Sequence, residues 1–225
     1  MKFVCIAVLA AAGSVASAQL WNNGAVVNGS GLSVLDSGAG TLGAGHQISA
    51  GNTVAENFTA GVDWTVTGFS FFAYQTGATA FTFTSASWQI ANSHGDALAL
   101  TNSAVSNGGL VGYRVTETTL TSTLRPIFRV DVTGLNINLA AGSYVLRWSL
   151  AGTAASGPWA PPVPGSLGSG NARQSVANGP FIALTDSLTG TGMELPFLIN
   201  GTAVPTPASL ALLGLGGIAM GRRRR

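Results

Sequence analysis

Residues 144–150 read Tyr-Val-Leu-Arg-Trp-Ser-Leu, with Tyr144, Leu146, Trp148 and Leu150 at every second position and Val145, Arg147 and Ser149 between them. Successive side chains of an extended chain point to opposite faces. This pattern therefore predicts a strand with one buried face, not a helix of period 3.6. The same alternation recurs. Phe128, Val130 and Val132 oppose Ile127, Arg129 and Asp131, and Ala86, Trp88 and Ile90 oppose Ser87 and Gln89. Across residues 64–74 the apolar parity changes after Gly68, from Trp64 and Val66 to Phe69 and Phe71. A bulge at that glycine would re-aim the strand. Further strands are predicted at 54–59, 110–116, 181–185 and 194–200.

Composition excludes the helical alternative. Charged residues are 8% of the chain and Gly fills 31 positions, so the good helix formers Glu, Lys and Gln are scarce and turn formers abundant. Turn clusters such as Asn107-Gly108-Gly109, Thr133-Gly134-Leu135-Asn136 and Ala140-Ala141-Gly142-Ser143 separate the apolar runs. The expectation is an all-β domain, an antiparallel β-sandwich of jelly-roll-like form, with a short hydrophobic helix at each terminus. The segment 157–165 carries Pro158, Pro161, Pro162 and Pro164 and is predicted to be an extended loop without ladder hydrogen bonds.

The two ends differ from the body. Met1 and Lys2 form a short positive start, residues 3–12 an apolar run, and Ala16-Ser17-Ala18 a small-x-small site before Gln19. These are the three parts of a secretory signal, with cleavage by signal peptidase predicted after Ala18. A buried N-terminal helix would leave the Ala-x-Ala spacing unexplained. At the other end Pro205-Thr206-Pro207 precedes an apolar stretch over 208–221 and the cluster Arg222, Arg223, Arg224 and Arg225. That stretch would rise about 21 Å as a helix, short of the roughly 30 Å hydrocarbon core. Four arginines would stay on the cytoplasmic side and hold this tail in the membrane, with the body outside, before processing. The predicted organisation is a signal peptide at 1–18, a β-sandwich domain at 19–203 and a sorting signal at 204–225.

The order Pro-x-Pro, short apolar segment, arginine cluster resembles the PEP-CTERM sorting signal of bacterial exported proteins. Thr206 stands where the name-giving motif has Glu. The resemblance implies a second partner, an exosortase-like membrane protease, and a final location at the cell surface or outside the cell. In the body, Gly45-His46-Gln47-Ile48-Ser49-Ala50-Gly51-Asn52, Val54-Ala55-Glu56-Asn57-Phe58, Phe71-Phe72-Ala73-Tyr74-Gln75-Thr76-Gly77 and Ser156-Gly157-Pro158-Trp159-Ala160-Pro161-Pro162-Val163 look like segments of uncharacterised proteins that carry this tag. They imply export and a β-sandwich, and they bring no functional residues.

Between the predicted cleavage points the chain keeps five arginines, no lysine and eight acids, a net charge of −3. A surface of that balance lacks the basic stripe that neutralises phosphates, which argues against nucleic acid as a partner. The single cysteine, Cys5, lies in the first apolar run, so the exported body is expected to have neither disulfide nor thiol.

Chemistry is thinly signalled. His46 and His94 are the only imidazoles, there is no Gly-x-Ser-x-Gly elbow, and a zinc site would need more His or Cys at short spacings. No catalytic residue, metal site or cofactor is predicted. Glu56 and Asp63 are the nearest candidates for a glycosidase pair. Glu56, alternating with Val54 and Phe58, reads rather as an inward acid with a structural partner such as an arginine, and that reading outweighs the catalytic one. Asp36, or Asp96 with Asn92, could offer oxygen atoms to calcium, without the dense acidic series such loops use. His94 sits in a polar turn that reads as a loop tip. Trp159, in the proline-rich loop, is the candidate ligand contact, able to stack on a sugar or to cap the sandwich; Trp64, Trp88 and Trp148 read as core. The expected function is that of a non-enzymatic structural or adhesive component of the cell surface or extracellular matrix. A carbohydrate-binding module that contacts extracellular polysaccharide through exposed aromatics is the alternative, and an exported glycoside hydrolase a more distant one.

Overall fold

The computed structural model describes residues 18–204. Ala16, the sorting residues Pro205, Thr206 and Pro207, the arginines 222–225 and both predicted terminal helices lie outside the described residues. Seventeen strands occur among those described. The first half of the chain forms β1 (Ala18–Asn22), β2 (Leu32–Leu35), β3 (Ala44–Gly45), β4 (Thr53–Ala60), β5 (Trp64–Ala73), β6 (Phe83–Ala91), β7 (Thr101–Ala104) and β8 (Ser106–Thr116). The second half forms β9 (Pro126–Val132), β10 (Ile137–Leu139), β11 (Gly142–Gly152), β12 (Trp159–Ala160) and β13 (Val163–Pro164). It closes with β14 (Arg173–Ser175), β15 (Ile182–Ala183), β16 (Met193–Glu194) and β17 (Phe197–Ala203). Among the described residues no helix is long and apolar enough to cross a membrane.

Two large sheets result. One runs β1-β17-β5-β9-β8-β2, with β10 also on β5; the other runs β15-β14-β4-β11-β6-β7. Two short ladders, β12 with β3 and β13 with β16, stand apart from them. All pairs of strands are antiparallel except β2 with β8, which run parallel. The expectation of wholly antiparallel sheets is corrected there: β2 lies beside β8 in the sheet, but β3 to β7 intervene in the sequence, and so long a crossover lets the chain arrive in either direction.

The alternating residues meet in one core. Phe71 of β5 stacks on Trp148 of β11 with ring centroids 5.1 Å apart, Phe69 meets Trp88 of β6 edge-on at 5.0 Å, and Trp148 leans on Phe197 of β17 at 5.7 Å. The five rings come from four strands, and the stacked and edge-on pairs join one large sheet to the other. Burying one such side chain stabilises the fold by about 2–3 kcal/mol.

The parity change in β5 has its predicted cause one residue early. Val66 faces Gly201 and Gly68 faces Asn200, so Thr67 is the extra residue. Gly68 is required beside it, because a Cβ there would stand 2.4 Å from the carbonyl oxygen of Val132.

Three expectations are corrected by packing. The second face of β11 is covered, not solvated: Arg147 is fully buried because the loop after β6 folds back over it. Its guanidinium donates to Gln89 Oε1 at 3.0 Å, Asp96 O at 3.1 Å and Ser93 O at 2.7 Å, and lies 4.8 Å from the centre of the Phe181 ring. Asn107-Gly108-Gly109 is not a turn but part of β8, where Gly109 at φ +103° and a register shift absorb the extra residues. Segment 157–165 is not ladder-free, because Trp159 and Val163, lying between the prolines, pair with Gly45 and Glu194.

Candidate functional site

β14 pairs with β4 only over Thr53, Val54 and Ala55. Beyond Ala55 the edge of β4 borders a groove of about 480 Å³. Asn57, Phe58 and Thr59 come from β4, Ser143 and Tyr144 from β11, and Trp21 and Asn23 from β1 and the residue after it. His94 follows β6, Ser169 and Asn171 precede β14, and Glu194 ends β16. The groove thus bridges the margins of the two large sheets.

Its apolar part is a three-ring cluster. The half-buried Trp21 and Tyr144 flank Phe58, with centroids 6.4 Å and 5.6 Å from it. The Tyr144 hydroxyl donates to Ala140 O at 3.0 Å and the Trp21 indole N–H to Asn23 Oδ1 at 3.2 Å. Both rings are therefore fixed in orientation before any ligand arrives, which lowers the entropic cost of stacking.

The polar part consists of amides, hydroxyls and one carboxylate. Glu194 is buried and saturated, accepting from Asn23 Nδ2 at 2.8 Å and from the backbone N–H groups of Ser169 and Gly170 at 2.9 and 2.7 Å. Gly168 permits this, since a Cβ there would meet the Glu194 Cδ at 2.6 Å. His94 donates from Nε2 to Asn57 Oδ1 at 2.9 Å, leaving Nδ1 as a lone-pair acceptor. Burial, then Arg173 and Arg147, hold this imidazole below its ordinary pKa, in the neutral form. His94 Nδ1 and Asn171 Oδ1 are buried acceptors without a hydrogen-bond partner among the described residues. A buried acceptor left unmade costs about 1–3 kcal/mol, so a small rotation of either side chain toward the groove is repaid by a ligand that brings O–H or N–H donors.

Glu56 lies directly behind the groove and is not part of its lining. It is inward, as its alternation with Val54 and Phe58 predicts, but no arginine meets it. It accepts backbone N–H groups from Asn57 and Leu195, each at 3.0 Å. Burial first, and then the neighbouring Glu194, push its pKa up to about 8 against those two donors. Asp63 is not its partner, for that carboxylate caps the turn before β11 by accepting the Ala141 N–H at 2.8 Å.

The other residues singled out in the sequence lie elsewhere. Trp159 packs against Val26, Phe72, Tyr74 and Ile127, with its indole N–H on Ser156 Oγ at 3.1 Å. It borders a separate, shallow hollow with Tyr74 and Arg125. Ala18 and Gln19 form the start of β1, opposite Gly201 and Asn200 of β17. Asp96 spends its oxygens on Asn92 N–H, Ser93 N–H and the Ser93 hydroxyl. No group of three His, Cys, Asp or Glu suited to a metal ion occurs among the described residues.

Sequence reasoning missed most of the groove. Trp21 and Asn23 belong to no alternating run, and Tyr144 reads as core because it alternates with Leu146. Its place at the start of β11, where the sheet ends, leaves its ring half-exposed. No protein-family model and no curated protein matches the chain.

Proposed function

We propose that the chain is an exported, non-enzymatic component of the cell surface or extracellular matrix, whose β-sandwich of jelly-roll-like form holds neutral polysaccharide in the groove between its sheet margins. The observation that carries the binding part is the pair of braced, half-exposed rings, Trp21 and Tyr144, set beside two unpartnered acceptors. Sugars offer just the complement, apolar C–H faces that stack on aromatic rings and hydroxyls that donate to amides and imidazoles. The groove lining carries the Glu194 carboxyl and no arginine or lysine, which favours a neutral chain over an acidic one.

The sorting part rests on the two ends. Signal peptidase would cut between Ala18 and Gln19, removing one pairing from β1 and leaving Gln19, Trp21 and Asn22 in register with β17. An exosortase-like membrane protease would then process the PEP-CTERM-like tail, whose arginines hold it at the membrane until that step. Because Ala18 stands opposite Gly201, the two segments leave the body from neighbouring strands, so trimming them would leave the groove intact.

Intact mass of the protein recovered from the producing cells tests the sorting: a chain beginning at Gln19 and lacking Arg222, Arg223, Arg224 and Arg225 is expected, and one that retains them contradicts it. Retention on a broad panel of immobilised neutral polysaccharides tests the binding, which fails if every member is ignored.

A glycoside hydrolase is favoured by one observation, the Glu56 carboxyl whose pKa is raised to about 8 beside Glu194, the arrangement of an acid next to a carboxylate. Its complete burial behind the groove argues against contact with a glycosidic oxygen. Release of reducing ends that Glu56→Gln abolishes, with the fold intact, would revive it.

A further inference from the structure

Two arginines are almost fully buried, and neither makes an ion pair among the described residues. Arg147 is the better served: its Nε–H is unpartnered like that of Arg114, but its terminal nitrogens meet three backbone carbonyls and a glutamine oxygen, and its plane an aromatic face. Arg114, in β8, has fewer partners. It donates only to Ser33 Oγ and Thr41 O, each at 3.0 Å, and its Nε–H has no hydrogen-bond partner among the described residues.

Arg114 also borders a cavity of about 170 Å³, distinct from the groove, whose walls include Val34, Leu35, Pro162 and Met193. A buried guanidinium without a counter-ion is among the costlier features a fold can carry. Burial accordingly lowers its pKa to about 10, still charged at neutral pH. Tying Ser33 to Thr41 would need only a neutral donor. A permanent cation with a spare N–H, bordering a cavity with one apolar wall and with Ser37, Thr189 and Thr191 on its polar side, has the chemistry of a carboxylate receptor, since a guanidinium pairs with carboxylate through charge-assisted bonds.

The two acids at this cavity do not fill that role. Asp186 has both oxygens occupied by backbone N–H groups of Gly40, Thr41, Leu188 and Thr189. Asp36 is exposed and stands among the lining residues without an ion pair to Arg114.

We propose that this cavity binds a small monocarboxylate with a compact apolar body, the carboxylate on Arg114 and the hydrocarbon against Val34, Leu35 and Met193. The site is independent of the polysaccharide groove and stands or falls without it.

Isovalerate is a suitable probe, with isovaleramide as its uncharged isostere and sodium chloride as the control for a plain anion. In nitrogen-15-labelled exported protein, the Arg114 Nε–H resonance is expected to shift saturably with isovalerate at a Kd on the order of 1 mM, the scale for a ligand of this size. Isovaleramide is expected to bind at least about tenfold more weakly, the loss of one charge-assisted contact. Arg114→Met, which keeps the volume and removes the buried charge, is expected to fold and to lose the response of neighbouring methyl groups. The proposal is overturned by the absence of a saturable shift up to about 20 Kd of that scale, by equal affinity for the amide, by an equal response to chloride, or by Arg114→Met binding isovalerate unchanged. If that variant does not fold, the three titrations of the unaltered protein decide alone.

Discussion

Glu56 Oε2 accepts the backbone N–H of Leu195 at 3.0 Å, so this bond to the link between β16 and β17 also sets its carboxyl beside that of Glu194. The two acids differ in what surrounds them. Glu194 is met by three donors from the loop before β14 and from Asn23, while Glu56 faces the core with two. Burial and the proximity of Glu194 therefore keep the Glu56 carboxyl protonated at neutral pH.

This raised acid makes the domain less stable in mild alkali. The folded state keeps the Glu56 proton up to about pH 8 whereas the unfolded chain releases it near 4.5, so stability falls as pH rises through that window. His46 acts in the opposite sense. Its burial lowers its pKa from 6.5 to about 4, so the unfolded chain takes up a proton below 6.5 and stability falls as pH is lowered through that range. Between about pH 4.5 and 6.5 these two slopes cancel, and the lowered pKa of His94 adds a further rise of stability with pH. Above 6.5 Glu56 acts alone, at about 1.4 kcal/mol per pH unit. Urea midpoints of the unaltered protein should not fall from pH 5 to 6.5 and should decline toward pH 8, and Glu56→Gln should abolish the decline; an equally steep decline in the variant would refute the assignment.

Asp186 clamps the loop 40–41 to the turn 188–189. Burial alone would raise its pKa, but the N–H groups of Thr189, Thr41, Leu188 and Gly40 outweigh burial and hold it below the ordinary carboxylate range. Asp186→Ala strands these donors, a loss of about 3 kcal/mol, or roughly 6–12 °C in Tm for a domain of this size. Since the folded pKa is depressed, the carboxylate's contribution is present above the unfolded value of 3.8 and fades as pH falls below it. The Tm difference between the two proteins should shrink on going from pH 6 to pH 3; a constant difference would mean that the charge does not matter.

Gly68 faces the Val132 carbonyl so closely that Gly68→Ala must push β9 away from β5. The expected cost is about 2 kcal/mol or more, read by chemical denaturation. Gly77→Ala is a useful contrast, for no atom stands within 4 Å of a Cβ there; its strain comes from φ +84° alone. If Gly68→Ala is tolerated with less than about 0.5 kcal/mol of loss, the close approach at the bulge is not a constraint.

On any polysaccharide that the groove retains, Trp21→Ala and Tyr144→Ala should each weaken binding by up to about tenfold, the worth of one aromatic contact. Trp159→Ala should leave the affinity unchanged, because Trp159 belongs to another hollow. Affinity electrophoresis distinguishes them, and dependence on Trp159 alone would move the site to the proline-rich loop.

Alternation predicted the strands because a period of two needs no knowledge of partners. Residues 144–150, 127–132 and 86–90 all fall inside strands, and the parity change after Gly68 pointed to a bulge that is present at Thr67. The very short strands β3, β12, β13 and β16 left no such trace, since two residues cannot display a period. Arg147 shows the limit of the method. Its neighbours place it on the face opposite the core, and only the loop after β6 and Phe181 determine that this face is buried too.

The groove was even less legible. Asn23, Asn57, Asn171 and Glu194 are dispersed along the chain, and each alone reads as a polar residue near a turn. Their meeting depends on β14 leaving β4 after Ala55 and on Glu194 arriving from β16 on the far side. The amino-acid order by itself determined that the body is all-β, which parts of it alternate and where its two ends change character, because these are local properties of neighbouring side chains. Which acid is protonated, which arginine lacks a partner and which rings stand half-exposed were decided only by tertiary structure, because burial and hydrogen bonding are set by groups far away in the sequence.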